Sequence, residues 1–330
     1  MTPSLGQGGD DTILGGSGAD SIDAGSGDNY IEGGIGDDLM WAGAGNDIYN
    51  FSLGDGTDFI RDDGGNNKFY LASTFTPDSV GITKTTEDYL RLSFGGDVLY
   101  FDNYQALYGS SFYFGDGTVL AFSELMRLMK VPLNFSASDA VPTAIGGAET
   151  DDITATSADN TLVGNQGNDT LRGLDGNDVY QYSAGDGDDT LIDSRLNNDG
   201  TVARNVIKFS SDVQASSLSF DVAYASDGSQ SLKVSYSSGS ITIPDGFFGA
   251  IAAFEFADGS ELSFIDAIAA IPGLQLVQSS STGGVMYGSV SADELYGGFG
   301  ADTIYGRGGD DQIRGAQGDD SLYGQGGMIG

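Results

Sequence analysis

The sequence predicts an all-β protein in which three blocks of stacked short strands are separated by two β-rich segments, each ending in one short helix. Three observations support this fold class. A nine-residue phrase recurs thirteen times in one register, the stretches between the blocks alternate between apolar and polar residues, and the 330 residues include 53 glycines but only 6 prolines. Glycines at this density suit turns repeated at short intervals, whereas collagen would need glycine at every third residue.

The nine-residue phrase occupies residues 6–50, 146–181 and 288–323. Glycine dominates its fourth position, an acid or amide stands at its sixth, and an aliphatic or aromatic residue stands at its eighth. The sixth positions are Asp11, Asp20, Asn29, Asp38, Asp47, Asp151, Asn160, Asp169, Asp178, Asp293, Asp302, Asp311 and Asp320. The fourth-position glycines are Gly9, Gly18, Gly27, Gly36, Gly45, Gly167, Gly176, Gly300, Gly309 and Gly318. Such a short period predicts a solenoid in which each repeat contributes one tight turn and one brief strand.

Apolar burial alone cannot hold these repeats together. Burying one Ile or Leu gains roughly 1.5–3 kcal/mol, whereas ordering nine backbone residues costs on the order of 10 kcal/mol. The sixth-position acids supply an alternative, because a carboxylate at every turn, beside glycines that let backbone carbonyls point inward, offers hard oxygen ligands to a cation. Calcium is the natural choice, since it accepts six to eight oxygens in flexible geometry.

The phrases GGSGADSID (15–23), GGIGDDLMW (33–41) and GGFGADTIY (297–305) resemble the nonapeptide of the RTX, or haemolysin-type calcium-binding, proteins. The resemblance implies three parallel β-roll blocks in which two nonapeptides make one coil. It also implies about seven calcium ions, each held between turns two repeats apart by Asp carboxylates and glycine-side carbonyls. The implied pairs are Asp11 with Asn29, Asp20 with Asp38, Asn29 with Asp47, Asp151 with Asp169, Asn160 with Asp178, Asp293 with Asp311, and Asp302 with Asp320.

Some repeats depart from this pattern. Asn29 and Asn160 replace the acid, and Glu149, Ala158 and Ser291 replace the fourth-position glycine. We therefore expect weaker sites at the start of the second and third blocks, with capping turns that hold no ion as the open alternative.

Further acids follow the first two blocks in the phrases GDGTD and GDGDD. They are Asp55, Asp58, Asp186, Asp188 and Asp189. These residues could bind one more calcium ion at the end of the roll, or they could form an acidic, solvated turn.

One β-rich unit occurs twice between the blocks, since DIYNFSLGDGTDFIRD (47–62) matches DVYQYSAGDGDDTLID (178–193). We interpret both copies as caps, because an open roll end would expose apolar residues and unpaired strand edges. Helices are predicted over Ser123–Lys130 and Ser263–Ala270, with Ser123 and Ser263 as N-caps. The predicted domains are roll blocks at 1–50, 146–181 and 288–330, capping domains at 51–130 and 182–277, and linkers at 131–145 and 278–287.

Composition excludes several function classes. With 48 acids against 13 bases, the net charge is −35, so the chain has no basic patch for nucleic acid and should repel itself unless cations bind. The chain contains no Cys and no His, which excludes thiol chemistry, an HExxH site and a Ser-His-Asp triad. We therefore predict a protein that is not an enzyme, with no catalytic residues and with calcium as its cofactor. We also predict no membrane span, because no long apolar run is present.

The RTX resemblance implies secretion by a type I apparatus to the extracellular space or the cell surface, where calcium completes folding. We expect a fragment of a longer protein, because the last residues, GQGGMIG, do not resemble the C-terminal secretion signal usual in that family. Three roles stay open. They are a structural spacer of an adhesin, S-layer-like protein or toxin; a module that binds a surface glycan or neighbouring copies of itself; and the non-catalytic C-terminal region of a secreted enzyme.

Overall fold

The computed structural model describes residues 4–5, 8–72, 74–85, 89–129, 134–136, 142–226, 229–244, 246–269, 271–277 and 283–326. Within these ranges the chain forms 32 β-strands and two short α-helices, so the predicted all-β class is confirmed. None of the described helices is long and apolar enough to cross a membrane. The chain divides into two compact units, Met1–Leu133 with Ile145–Thr150, and Asn134–Ala144 with Asp151–Gly330.

The first unit contains strands β1 to β13 and helix α1. The strands are β1 Ser4–Leu5, β2 Thr12–Ser17, β3 Ser21–Asp23, β4 Tyr30–Ile35, β5 Leu39–Ala42, β6 Ile48–Phe51, β7 Thr57–Asp62, β8 Lys68–Leu71, β9 Val80–Lys84, β10 Leu90–Phe94, β11 Asp97–Asp102, β12 Ser111–Tyr113 and β13 Val119–Ala121. Helix α1 spans Phe122–Met126. The strands form one sheet in the order β1-β3-β5-β7-β11-β10-β9 and a second in the order β13-β12-β8-β6-β4-β2.

Strands of alternate nonapeptides pair in parallel in both of these sheets. Thr12 pairs with Tyr30, and Ser21 pairs with Leu39, so each strand lies beside the strand of the second nonapeptide after its own. Two nonapeptides therefore make one coil, which is the predicted parallel β-roll. The eighth-position residues of the first block are all buried: Ile13, Ile22, Ile31, Met40 and Tyr49.

The β-rich segment of the first unit extends the same two sheets. Strand β7 continues the first sheet beside β5, and β8 continues the second beside β6, both in parallel. Strands β11 and β12 then pair in parallel with β7 and β8, while β9 and β10 add antiparallel strands at the sheet edge. The sheets therefore cross the predicted boundary between residues 50 and 51 without a break, and the domain division itself stays a prediction.

The remaining strands run from β14 to β32, with helix α2 at Phe264–Ala269. They are β14 Asn134–Ser136, β15 Thr143–Ile145, β16 Asp152–Thr154, β17 Thr161–Val163, β18 Thr170–Leu174, β19 Val179–Tyr182, β20 Asp188–Asp193, β21 Val206–Phe209, β22 Ser219–Tyr224, β23 Gln230–Tyr236, β24 Gly239–Pro244, β25 Ala253–Phe256, β26 Glu261–Ser263, β27 Gln275–Val277, β28 Val285–Tyr287, β29 Glu294–Tyr296, β30 Thr303–Tyr305, β31 Gln312–Arg314 and β32 Ser321–Tyr323.

The second unit repeats the plan of the first. Its sheets have the orders β14-β16-β18-β20-β24-β23-β22 and β15-β17-β19-β21-β25-β26, and the third block adds β27-β29-β31 and β28-β30-β32. Buried residues from Ile153 in the second block to Ile313 in the third form one hydrophobic cluster. The repeat coils and the β-rich segment of this unit therefore share a core.

The two helices differ in how they begin. The prediction that Ser123 is an N-cap is wrong, because α1 starts at Phe122 and the exposed backbone N–H of Ala121 donates to Glu124 Oε2 at 2.8 Å. Ser263 is an N-cap as predicted, since the N–H of Asp266 donates to Ser263 Oγ at 3.2 Å. The predicted helix ends, Lys130 and Ala270, and the linker residues 131–133, 137–141 and 278–282 lie outside the described residues.

Candidate metal centre

The sixth-position residues form ladders at the turns, in which each side chain holds the backbone of the preceding coil. The N–H of Asp20, for example, donates to Asp38 Oδ1 at 2.8 Å. The same bond joins all seven predicted pairs, at 3.0 Å for Asp11 with Asn29, 2.8 Å for Asn29 with Asp47, 2.8 Å for Asp151 with Asp169, 2.8 Å for Asn160 with Asp178, 3.1 Å for Asp293 with Asp311, and 3.0 Å for Asp302 with Asp320. The structure thus brings every predicted pair together, and calcium binding by them stays a prediction.

The second carboxylate oxygen of most ladder residues has no partner. Oδ2 is buried and accepts no hydrogen bond in Asp20, Asp38, Asp47, Asp169, Asp178, Asp302 and Asp311. No ion pair among the described residues includes any of these acids. A buried anionic oxygen without a donor is strongly unfavourable. These oxygens therefore fit a cation that is shared between turns.

Burial changes the acidity of these carboxyl groups. It raises the pKa of Asp169 and Asp178 to about 8, and it also raises the pKa of Asp38, Asp47 and Asp311. Loss of hydration is the largest cause, and the charges of neighbouring aspartates add to it, whereas the hydrogen bond from the backbone N–H opposes it. Each of these sites favours a bound proton or a bound cation over a bare negative charge.

Glycines at two positions of the repeat give the turns their shape. Nine of the ten predicted fourth-position glycines have φ between 93° and 150°, a region that side-chain-bearing residues rarely adopt; Gly45 is the exception. A Cβ on Gly36 would strike the carbonyl oxygen of Gly18 in the preceding coil, so successive turns are in close backbone contact.

The first-position glycines lie against the unpaired carboxylate oxygens. A Cβ on Gly33 would collide with Asp38 Oδ2, and a Cβ on Gly306 would collide with Asp311 Oδ2. Sequence reasoning missed the role of this position. The available signal was the lack of larger side chains there, since all thirteen copies carry glycine or alanine.

The available donors suit calcium. Carboxylates and turn carbonyls are hard oxygen ligands, and calcium accepts such mixed sets at flexible angles. Among the described residues, no three acidic side chains form a cluster that could hold a metal by side chains alone. An ion at these turns would be held by the Asp side chains together with backbone carbonyls, as the resemblance implies.

One turn near the start of each later block differs from the others. Asn160 Oδ1 accepts from the N–H of Thr156 at 2.9 Å, and its Nδ2 donates to the carbonyl of Pro142 at 3.1 Å. Asp293 Oδ2 accepts from the N–H of Ser289 at 2.6 Å, and its Oδ1 accepts from the N–H of Leu274 at 2.7 Å. These side chains are satisfied by the protein itself, which fits the alternative of capping turns.

The ladders extend beyond the nonapeptides. The sequence suggested Asp58 and Asp189 as acids that could bind a further ion at the end of the roll, but not that they continue the ladder. The N–H groups of Asp38 and Asp169 donate to Asp58 Oδ1 at 3.0 Å and Asp189 Oδ1 at 2.8 Å, each 20 residues further on. On the other edge, those of Asp47 and Asp178 donate to amide side chains. The acceptors are Asn67 at 2.8 Å and Asn205 at 3.0 Å.

The acids of the GDGTD and GDGDD phrases are mostly buried. Asp55, Asp58, Asp186 and Asp189 are each at most 5% exposed, whereas Asp188 is exposed. A solvated turn is therefore the wrong interpretation for the first four residues. Asp189 Oδ2 is also buried without a partner, like the carboxylates of the nonapeptides.

Comparison with known proteins supports the repeat assignment. The family model described as RTX calcium-binding nonapeptide repeat (4 copies) matches residues 5–40, 15–49, 23–57, 145–180 and 287–327. No curated protein matches the chain. Among solved structures, the chain is similar to the extracellular lipase LipA from Serratia marcescens, with 18% identity and a TM-score of 0.25. The match covers 71% of this chain and 37% of the lipase.

Proposed function

Because the chain carries RTX calcium-binding nonapeptide repeats in all three blocks, we propose that it is a calcium-folded structural module of a secreted or cell-surface protein. In this role the repeats fold only when calcium is available, and the folded coils act as a stiff spacer. The module itself is not catalytic.

The row of buried, unpaired carboxylate oxygens is the observation that carries this proposal. Asp38, Asp47 and Asp178 are fully buried, and each has one oxygen that accepts a backbone N–H and one that accepts nothing. A spacer held only by its apolar core would not need a charged group at this depth. The arrangement is stable only if positive charge reaches the second oxygen.

The residues of one turn have different roles in holding the coils and the ion. The Oδ1 atom of Asp38 fixes the coil-to-coil register through the N–H of Asp20, and the small first-position Gly33 leaves room for Oδ2. Calcium would supply the positive charge and a coordination shell that accepts both carboxylates and carbonyls. Because each ion bridges two coils, binding at one turn orders the ligands of the next, so folding should depend cooperatively on calcium.

A calcium titration of the full chain tests the proposal. Circular dichroism in EDTA should show the repeat coils disordered, with most of the β signal lost, and millimolar calcium should restore β signal and raise the melting temperature with a steep dependence. Magnesium at equal concentration is the matched control and should fail, because it requires strict octahedral geometry and dehydrates reluctantly. A chain that keeps its β signal and melting temperature after exhaustive EDTA treatment would contradict the proposal.

The dependence of folding on calcium also fits secretion of the chain. The chain would stay expanded where free calcium is scarce, since its net charge of −35 opposes compaction, and it would fold where calcium is plentiful. Export by a type I system and a place in an adhesin, S-layer-like protein or toxin are the roles that we propose for the parent protein. Measuring the hydrodynamic radius at submicromolar and millimolar free calcium tests the folding step directly.

A second candidate function is glycan binding by the outer face of the first unit. Leu39, Trp41 and Phe59 on β5 and β7 are each about two-fifths exposed, and the ring of Phe59 stacks on Tyr100 at 4.7 Å. Flat, exposed aromatic rings suit contact with sugar rings.

Trp41 is the only tryptophan, so its fluorescence reports on this face alone. A glycan that binds there should shift or quench the emission in the presence of calcium. No change with any glycan of a broad panel would remove this candidate. A change with protein concentration alone would instead indicate contact between copies of the chain.

A further inference from the structure

A cluster of oxygens in the second unit joins the last nonapeptide of the second block to Asp193 beyond it. A Cβ placed on Gly173 would lie 2.5 Å from Asp178 Oδ2 and 2.6 Å from Asp193 Oδ2, and it would also touch the hydroxyl of Tyr180. These three oxygens, from β19, β20 and the turn before β19, therefore surround one small space beside β18. Asp193 occupies the first position of the following coil, where every nonapeptide has glycine or alanine.

The hydrogen bonds of this cluster leave negative charge uncompensated. Asp178 is fully buried, its Oδ1 accepts from the N–H of Asn160 at 2.8 Å, and its Oδ2 accepts nothing. Asp193 Oδ2 accepts from the Tyr180 hydroxyl at 2.7 Å, and Asp193 Oδ1 accepts from the N–H of Ser194 at 2.7 Å. Two carboxylates beside one small space repel each other strongly unless a cation or a proton lies with them.

A related cluster occurs in the first unit, at the matching positions of the phrase DIYNFSLGDGTDFIRD, although Ala42 there places a methyl group where the second unit has Gly173. Asp47 is fully buried with an unpaired Oδ2, and Asp62 is 1% exposed. The Tyr49 hydroxyl donates to Asp62 Oδ2 at 2.7 Å, and the N–H of Gly64 donates to Asp62 Oδ1 at 2.8 Å. A costly arrangement that occurs twice with the same residue types points to a ligand rather than to chance.

The neighbouring ladder position supports a shared ligand. In both units the coil that gains an aspartate at its first position carries an amide at its sixth, Asn67 in the first unit and Asn205 in the second. The added aspartate, Asp62 or Asp193, thus replaces the acid that is missing from the ladder, so each turn keeps two carboxylates. If the added aspartate had only a structural role, the ladder could have kept an acid in place of the amide.

No described positive side chain neutralises the clusters. The ion pairs of the described residues join Arg61 with Asp63 and Asp102, Arg172 with Asp152, Arg204 with Glu255 and Glu261, and Lys208 with Glu255. None includes Asp47, Asp62, Asp178 or Asp193. Within the described ranges, the compensating charge must come from outside the polypeptide or from a bound proton.

We propose that these two clusters, Asp47 with Asp62 and Asp178 with Asp193, are calcium sites that each combine the last nonapeptide aspartate of a ladder with an acid from beyond the repeats. They close each ladder at the point where the repeat coils pass into the β-rich segment. Tyr49 and Tyr180 are positioning residues, because each hydroxyl holds the added aspartate in place. The proposal rests on the proposed function, since it assumes that the nonapeptide turns bind calcium.

Counting bound ions tests the proposal. Native mass spectrometry of the full chain in saturating calcium should show one ion fewer in Asp193→Ala, one fewer in Asp62→Ala, and two fewer in the double variant. Alanine is a suitable replacement because some nonapeptides carry it naturally at the same position, as Ala42 and Ala155 do. Asp258→Ala is the matched control, since this exposed acid accepts only turn hydrogen bonds from Ser260, and it should keep the full count.

The outcomes separate the two proposals. A wild-type chain that binds no calcium would overturn the proposed function, and this inference with it. A folded Asp193→Ala variant that keeps every ion would overturn only this inference and would indicate a carboxyl pair that shares a proton.

Terbium luminescence decides the question if the alanine variants do not fold. Emission sensitised by tyrosine should fall in the Tyr49→Phe, Tyr180→Phe double variant, which keeps all four carboxylates and the shape of the rings. The control is Tyr224→Phe, because Tyr224 is 64% exposed and lies on β22. Emission equal to that of the control would overturn the proposal.

Discussion

The repeat coils and the β-rich segment of the first unit share two continuous sheets but are stabilised differently. In the coils, Ile or Met from each of the first four repeats fills a thin core that Tyr49 closes, and the carboxylate ladder lines the turns. In the β-rich segment the core is aromatic, with Phe69 stacked between Tyr49 at 4.8 Å and Phe112 at 4.6 Å. The comparison shows that two continuous sheets can be stabilised by bound cations in one region and by apolar packing only a few residues further along the chain.

The ladder ends where the aromatic core begins. Asp58 is paired across the sheet with Leu99, and Asp189 is paired with Ile241, so the next position in each row is apolar. On the other edge the N–H of Asn67 donates to Ser110 Oγ at 3.3 Å. Along this row the side chain therefore changes from an acid to an amide to a hydroxyl as the apolar core becomes larger.

Calcium removal should separate the two regions most strongly. In EDTA, hydrogen exchange of residues 8–50 should become fast, whereas β10, β11 and β12 should keep more protection, because their aromatic core contains no ladder carboxylate. Exchange followed by mass spectrometry measures both regions in one sample. Equal loss of protection throughout would show that the two regions form one cooperative unit.

Removal of a core ring should affect the β-rich segment at any calcium level that permits folding. Phe69→Ala should lower the free energy of unfolding by about 3–5 kcal/mol, because it empties a fully buried site between two rings. Tyr70→Ala is the control, since this neighbouring side chain is 38% exposed, and it should cost far less. Chemical denaturation in saturating calcium measures the difference.

Removal of a ladder acid should depend on calcium. Asp38→Ala should lower the free energy of unfolding by roughly 2–4 kcal/mol in calcium, because it deletes a ligand shared by two coils. Asp11→Ala, at the end of the block, should cost less. In EDTA, Asp38→Ala should make no further difference, since the repeat coils are already unfolded there. An equal loss with and without calcium would show that the carboxylate acts through hydrogen bonding alone.

Lowering the pH should favour the folded coils in EDTA and destabilise them in calcium. The folded-state pKa of Asp169, Asp178 and Asp189 is about 8, raised first by burial, whereas an unfolded aspartate titrates near a pKa of about 3.9. Between these values the folded state binds more protons than the unfolded state, so in EDTA the balance should shift towards the folded coils, and the β signal should increase, as pH falls from 8 to about 5. In calcium, protons compete with the ion, and stability should fall. Circular dichroism in EDTA and melting curves in calcium, both across this pH range, measure the two trends.

The sequence was sufficient for the roll but not for the whole ladder. The nine-residue period predicted a solenoid, and the resemblance to the RTX nonapeptide implied its parallel coils and all seven side-chain pairs. Asp58 and Asp189 were named as candidate acids at the end of the roll, but their place in the ladder was missed because two inserted residues shift the spacing to 20. Asn205 was missed because it lies 27 residues after Asp178. Such insertions lie in the turns and leave the strands in register, so only the fold shows which acid continues the row.

Local chemistry also misled the prediction at one helix. Ser123 looked like an N-cap because serine favours that position, yet Glu124 binds the N–H of Ala121 and the helix begins with the buried Phe122. Burial of an aromatic side chain outweighed the cap preference. Ser263, which precedes the equivalent Phe264, shows the expected behaviour.

The pairing of strands two nonapeptides apart also gives the module a mechanical scale. A coil pulled away from its neighbour would release two nonapeptides, which span about 60 Å when fully extended. Under tension between its ends, the chain would lengthen in steps of this size, and each step would require the rupture of one layer of ion-bridged turns. Calcium concentration would then set the force at which such a tether yields.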